Sequence, residues 1–136
     1  MYLVDANIFL EVELGQPKGM HSKDVLSRFK DGELRGMITD FHVDAVIVVM
    51  ENYKLGWRDI AIFLSGLLRY EGLTVQPMTL GSRISATSHM KNFGLNFDDA
   101  LAYQCMMENG IEKILSYDAD FDVLPDIQRV DPKEIA

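Results

Sequence analysis

Tyr2-Leu-Val-Asp-Ala-Asn-Ile-Phe-Leu-Glu-Val-Glu-Leu-Gly15 is the stretch on which the fold turns. Tyr2–Val4 reads as a short buried strand, and Asn7 to Leu14 as a helix, stopped by Gly15-Gln-Pro-Lys-Gly19. A strand that feeds a helix within three residues is the unit of an α/β fold, and the rest of the chain repeats it. Gly36–Ile38, Leu73–Val75 and Lys113–Leu115 read as further strands, with Ile127–Val130 as a fifth. Helices are predicted between them: Ser22 capping a run to Lys30, Thr39 or Asp40 opening one to about Lys54, and Trp57 to Tyr70. Two more follow, Thr79 to about Phe93 and Phe97 to Glu108, the second capped by Asn96. Alternation of this kind predicts a three-layer α/β/α domain around a central parallel sheet of four to five strands. The pattern leaves the strand order open. With no repeat and no linker, residues 1–136 read as one domain.

Composition narrows the class. Forty-eight per cent apolar residues and a mean hydropathy of zero describe a soluble globular chain. The longest apolar run, Val43–Met50, contains Asp44 and is too short to span a bilayer. Asp5 and Asn7 interrupt what would be the core of a signal peptide. One cysteine, Cys105, excludes an intrachain disulfide, so a cytoplasmic address is expected. Residues 1–93 carry 11 acids against 10 Lys and Arg, whereas residues 94–136 carry 10 against 3. A chain with net charge −8 has no general attraction for nucleic acid. Binding of that kind would fall to Lys18, Lys23, Arg28, Arg35, Arg58 and bound metal.

Four acidic stations carry the chemistry. Asp5 and Asp118 each follow a strand, while Asp44 and the Asp98-Asp99 pair lie in first turns of helices. In an open α/β sheet these positions share the edge where ligands bind. Carboxylates gathered there repel one another by roughly 4 kcal/mol per pair at 4 Å and an effective dielectric near 20. A hard divalent cation is the usual remedy. Each station also has a plain structural reading. Asp5 could cap a helix, Asn96 to Asp99 has the form of a capping box, and Asp118, Asp120 and Asp122 could be a solvated run. Asp44 lies in Phe41–Met50, apolar on nearly every side, so burial and a partner are expected for it, against the plain reading of Asp40, Asp44 and Glu51 as one polar stripe toward solvent. His21, His42 and His89 have no metal spacing and read as surface or core residues. Cys105 lacks a histidine partner, and no glycine-rich phosphate loop is present.

Leu3-Val-Asp-Ala-Asn7, Asp98-Asp-Ala-Leu101 and Leu115-Ser-Tyr-Asp-Ala-Asp-Phe121, in this order and over this length, resemble the PIN domain, the small metal-dependent ribonuclease fold of VapC-type toxins. The resemblance covers nearly the whole chain. It implies that Asp5, Asp99 and Asp118 bind Mg²⁺ or Mn²⁺, with Asn7 and Ser116 as polar neighbours. Thr39, Asp98 and Asp120 are further supporting groups. The family places a Glu in the helix after the second strand. Asp44 is the match here, shorter by one methylene, and Asp40 and Glu51 are poorer ones. The resemblance further implies an endoribonuclease acting on RNA, a homodimer, an antitoxin partner and no membrane. A catalytically weak or inactive PIN-like module that binds RNA or protein is the second reading. An aspartate-nucleophile phosphatase built on Asp5 is a distant third, because Asn7 stands where a second Asp is wanted.

Overall fold

Leu3 and Val4, neighbours in the first strand, send their side chains to opposite faces of the sheet, and the two hydrophobic cores follow from that alternation. The computed structural model describes residues 1–135. Five strands, β1 (Tyr2–Val4), β2 (Gly36–Thr39), β3 (Leu73–Gln76), β4 (Lys113–Leu115) and β5 (Gln128–Val130), form one sheet in the order β3-β2-β1-β4-β5. Every pairing is parallel. The helices are α1 (Ala6–Glu13), α2 (Gly19–Lys30), α3 (Asp40–Asn52), α4 (Trp57–Leu67), α5 (Leu80–Phe93) and α6 (Phe97–Asn109). Leu3, Met37 and Ile114 face α5 and α6, where Ala86, Leu101 and Met106 meet them. Val4, Ile38 and Leu115 face the other layer, against Phe9, Phe29 and Val46. The result is the three-layer α/β/α architecture expected from the sequence.

The topology positions the site. From β1 the chain builds outward through β2 to β3, then returns to add β4 and β5 on the other side. The order therefore reverses between β1 and β4, and a crevice opens beyond their carboxyl ends. Asp5 and Ser116 are the first residues past those two ends. Gly72 lets the sheet close at β3: a Cβ there would lie 2.0 Å from the Leu34 carbonyl oxygen. Gly94 and Gly110 end α5 and α6 in the left-handed conformation, at φ 69° and 64°.

Several boundaries differ from the expected ones. α2 starts at Gly19, three residues ahead of Ser22, which is wholly buried and bonds the Tyr117 hydroxyl at 2.7 Å instead of capping the helix. α4 stops at Leu67, not Tyr70, and β5 omits Ile127. Among the described residues no helix is long and apolar enough to cross a membrane.

Candidate metal centre

Asp5 occupies the N-cap position of α1 in extended conformation, but its side chain does not cap the helix. Its Oδ2 instead accepts a 2.5 Å hydrogen bond from the Ser116 hydroxyl at the end of β4. Ser116 Oγ also accepts from Asn7 Nδ2 at 3.3 Å and from the Asp118 amide at 2.9 Å. A hydroxyl has one hydrogen and two lone pairs, so Ser116 is saturated. These roles fix the Asn7 amide with its NH₂ toward Ser116. Asn7 Oδ1 is then left shielded and unpartnered, alone in that respect among the buried side-chain atoms of the described residues.

Across the crevice, α6 supplies the second set. Asn96 makes no side-chain capping bond, so the anticipated capping box does not form and Asp99 is free of it. Adjacent helical positions point about 100° apart. Asp99 accordingly turns inward, 6% exposed, while Asp98 faces solvent. The loop after β4 supplies the third set. Asp118 Oδ1 accepts from the Asp120 amide at 2.8 Å, which folds the loop back on itself. Arg129 pins the far side of that loop through Asp122, at 2.9 and 3.2 Å. One carboxylate oxygen each from Asp99, Asp118 and Asp120 lies within 4.8 Å of the other two. Asp120, expected only in a supporting role, belongs to this trio, while Asp5 sits beside it in the grip of Ser116.

The electrostatics bear the mark of crowding. Burial pushes the Asp5 carboxyl up to about 6; the Ser116 hydroxyl and the Ala6 amide pull it down, and Asp118 and Asp98 push it further up. Asp99 rises to about 7, through burial first and then the charges of Asp98, Asp5, Asp118 and Asp120. Among the described residues, no Lys or Arg forms an ion pair with either acid. An all-oxygen donor set with uncompensated negative charge suits a hard divalent cation such as Mg²⁺ or Mn²⁺. Beside Ser116, Asn7 Oδ1 is a further shielded acceptor without a protein partner.

α3 brings no carboxylate to this group. Asp44 is exposed and stands outside the carboxylate trio. The expectation of burial is corrected: α3 packs by Val43, Val46 and Met50, whereas Val48, one turn on from Asp44, is 54% exposed. Glu51 is exposed as well. Asp40 Oδ1 is committed to the amides of Phe41 and Met78, at 2.8 and 3.0 Å. Thr39, fully buried, caps α3 through the His42 amide at 2.9 Å. The α3 side chain that does reach α6 is His42, whose Nε2 lies 3.0 Å from the Asp98 carbonyl oxygen. Burial lowers its pKa and keeps the ring neutral. Cys105 is buried with its thiol pushed up to about 11, which removes it as a nucleophile.

A separate groove of about 680 Å³ opens between α1, α2 and α4. Phe9, Leu26 and Phe63 are part of its apolar lining, and Lys23, Lys30 and Arg69 bring positive charge to it. Beside it Leu68 stands 90% exposed.

Residues 2–127 match the family described as the PIN domain. No curated protein matches the chain. Among solved structures, the VapC20 toxin of Mycobacterium tuberculosis, described as cleaving the sarcin-ricin loop, superposes with a TM-score of 0.76 at 16% identity. The match covers 94% of this chain and 98% of that one. A toxin–antitoxin complex from Klebsiella pneumoniae follows at 0.72 and 16%, covering 97% and 98%. FitAcB from Neisseria gonorrhoeae gives 0.67 and 14%, covering 98% and 99%. At such identities these likenesses speak for the fold.

Proposed function

The chain belongs to the PIN domain family, and from that premise we propose that it is a metal-dependent endoribonuclease, the toxin of a toxin–antitoxin pair. The observation that carries the reading is the meeting of Asp5, Asp99, Asp118 and Asp120 at the β1–β4 switch point, none of them ion-paired to a Lys or Arg among the described residues. Asp99, Asp118 and Asp120 would hold Mg²⁺ or Mn²⁺, with Asp5 beside them. Such a cation polarises a phosphodiester oxygen and lowers the pKa of a bound water. The protein's own part is positional. Ser116 fixes the Asp5 carboxylate and the Asp118 backbone from one atom. Asn7 Oδ1, shielded and without a protein partner, would accept from an ordered water. Asp99, buried on α6, holds the opposite wall.

The groove between α1, α2 and α4 supports an antitoxin partner: it is apolar within, carries basic residues and lies apart from the acids. A homodimer, implied by the resemblance to VapC-type toxins, is part of the same reading. The test is cleavage of a labelled structured RNA by the purified protein with Mn²⁺, with EDTA, and with Asp99→Asn. Cleavage that needs Mn²⁺ and disappears in the folded variant is the expected result. Undiminished cleavage by Asp99→Asn overturns the assignment.

One observation favours the second reading, a weak or inactive RNA- or protein-binding module: α3 contributes no acid where the family has one. Under that reading the protein binds RNA or a protein partner and leaves RNA intact with or without Mn²⁺.

A further inference from the structure

The β1 and β4 acids are tied together by Ser116, but no hydrogen bond from that hub reaches α6. Asp99 must nevertheless be held against Asp118 and Asp120 to within a fraction of an ångström for a shared ligand to form. Asn96 makes no capping bond, so the amino end of α6 is not held by its own cap. Two contacts from α3 take that place. Phe41 packs edge-on against Phe97, with ring centroids 5.7 Å apart and an interplanar angle of 85°. His42 Nε2 lies 3.0 Å from the carbonyl oxygen of Asp98.

The atoms assign the roles. A carbonyl oxygen only accepts, so Nε2 carries the ring proton and Nδ1 bears a lone pair. Thr39 Oγ1 contacts Nδ1 and donates its hydrogen there, while accepting the His42 amide at 2.9 Å. The circuit is closed, and His42 is 5% exposed. Behind it, Thr39 is the last residue of β2, whose Met37 pairs with Leu3 of β1. A continuous path therefore runs from the strand that carries Asp5, through β2 and Thr39, to His42 and the first turn of α6.

We propose that His42 is a positioning residue of the acidic site, fixing through the Asp98 carbonyl where Asp98 and Asp99 stand, so that α3 serves the site by a hydrogen bond and not by a carboxylate. The inference rests on the reading that these acids hold a divalent cation. A histidine that merely fills the core would matter for stability and leave metal affinity untouched.

Calorimetric titration of Mn²⁺ into wild type, His42→Leu and His42→Gln separates the two, with metal-free amide exchange of the same proteins alongside. In His42→Leu the Mn²⁺ affinity is expected to fall tenfold or more, and the Ala100 and Ala102 amides to exchange at least tenfold faster while those of the sheet are unchanged. His42→Gln, whose amide nitrogen can reach the same carbonyl, should recover both to within threefold. Wild-type affinity and exchange in folded His42→Leu overturn the proposal, as does His42→Gln behaving like His42→Leu. If His42→Leu does not fold, His42→Asn, too short for the carbonyl, takes its place with the same expectations. If wild type itself binds no Mn²⁺, the cation reading fails, and amide exchange alone decides whether His42 holds the turn.

Discussion

The Ser116 hydroxyl donates a 2.5 Å hydrogen bond to the carboxylate of Asp5, 111 residues away in the chain. Because the same oxygen accepts from Asn7 and Asp118, its removal strands three groups at once. Ser116→Ala should cost about 1–3 kcal/mol of stability, the range for buried polar groups left without a partner. It should also raise the Asp5 pKa, since the hydroxyl is the first influence lowering it. Urea unfolding and carboxyl NMR titration check the two effects. A stability loss within error, with the Asp5 titration unmoved, would remove Ser116 from its central role.

Metal-free protein should lose stability as the pH rises. Asp5 and Asp99 titrate near 6 and 7 in the folded chain, above their ordinary value of 3.8. Between those values the native state holds more protons than the unfolded state, so unfolding becomes easier with increasing pH. The contribution is fully present below about pH 4 and gone above about pH 7 to 8. At about 1.4 kcal/mol per pKa unit, the two rises together set an upper bound of about 7 kcal/mol. Asp99→Asn lacks its share, so its stability advantage over wild type should widen from pH 4 to pH 8. Mn²⁺ at pH 8 should raise the Tm of wild type more than that of the variant. A constant difference across the range would contradict the burial of Asp99.

Asp44 should be dispensable. It is exposed on α3 and stands outside the carboxylate trio, so Asp44→Asn is expected to change stability by no more than about 0.5 kcal/mol. Its Mn²⁺ affinity should stay within about twofold of wild type, while Asp118→Asn should lose tenfold or more. Calorimetry on the two variants settles it, and a large loss in Asp44→Asn would restore α3 as a source of ligands.

Much of this was legible in the sequence, for reasons that particular residues illustrate. Asp5 and Asp118 could be placed because parallel strands end on one edge, and a short apolar stretch, Tyr2–Val4 in one case and Ile114-Leu115 in the other, runs up to it. The divergence of adjacent helical positions left only one of Asp98 and Asp99 to face the cluster, and the resemblance to the PIN domain singled out Asp99. Strand order could not be read, because a parallel crossover leaves its side of the sheet free until β4 settles beside β1. Asp44 was misjudged because valine and isoleucine occupy both the packed and the open faces of α3, as Val46 and Val48 do. Asp120 looked like part of a solvated run. What changes it is one backbone bond to Asp118, a local turn that composition does not encode. His42 meets Asp98 across 56 residues, and no spacing rule announces a contact between two helices.

Asn7 offers the sharpest separation of function from stability. Its Nδ2 bond to Ser116 is long, at 3.3 Å, and its Oδ1 is buried without a partner. A buried unsatisfied acceptor costs about 1–3 kcal/mol, whereas a typical hydrogen bond returns about 0.5–1.5 kcal/mol. Asn7→Leu, of similar volume, removes both, so metal-free stability should stay level or rise by about 1 kcal/mol. If Oδ1 orients a water or a substrate hydroxyl, RNA cleavage in saturating Mn²⁺ should fall at least tenfold in the same variant. Urea unfolding and single-turnover cleavage measure the two sides. A variant both destabilised and fully active would mean that Oδ1 has a partner in the native protein and no part in the chemistry.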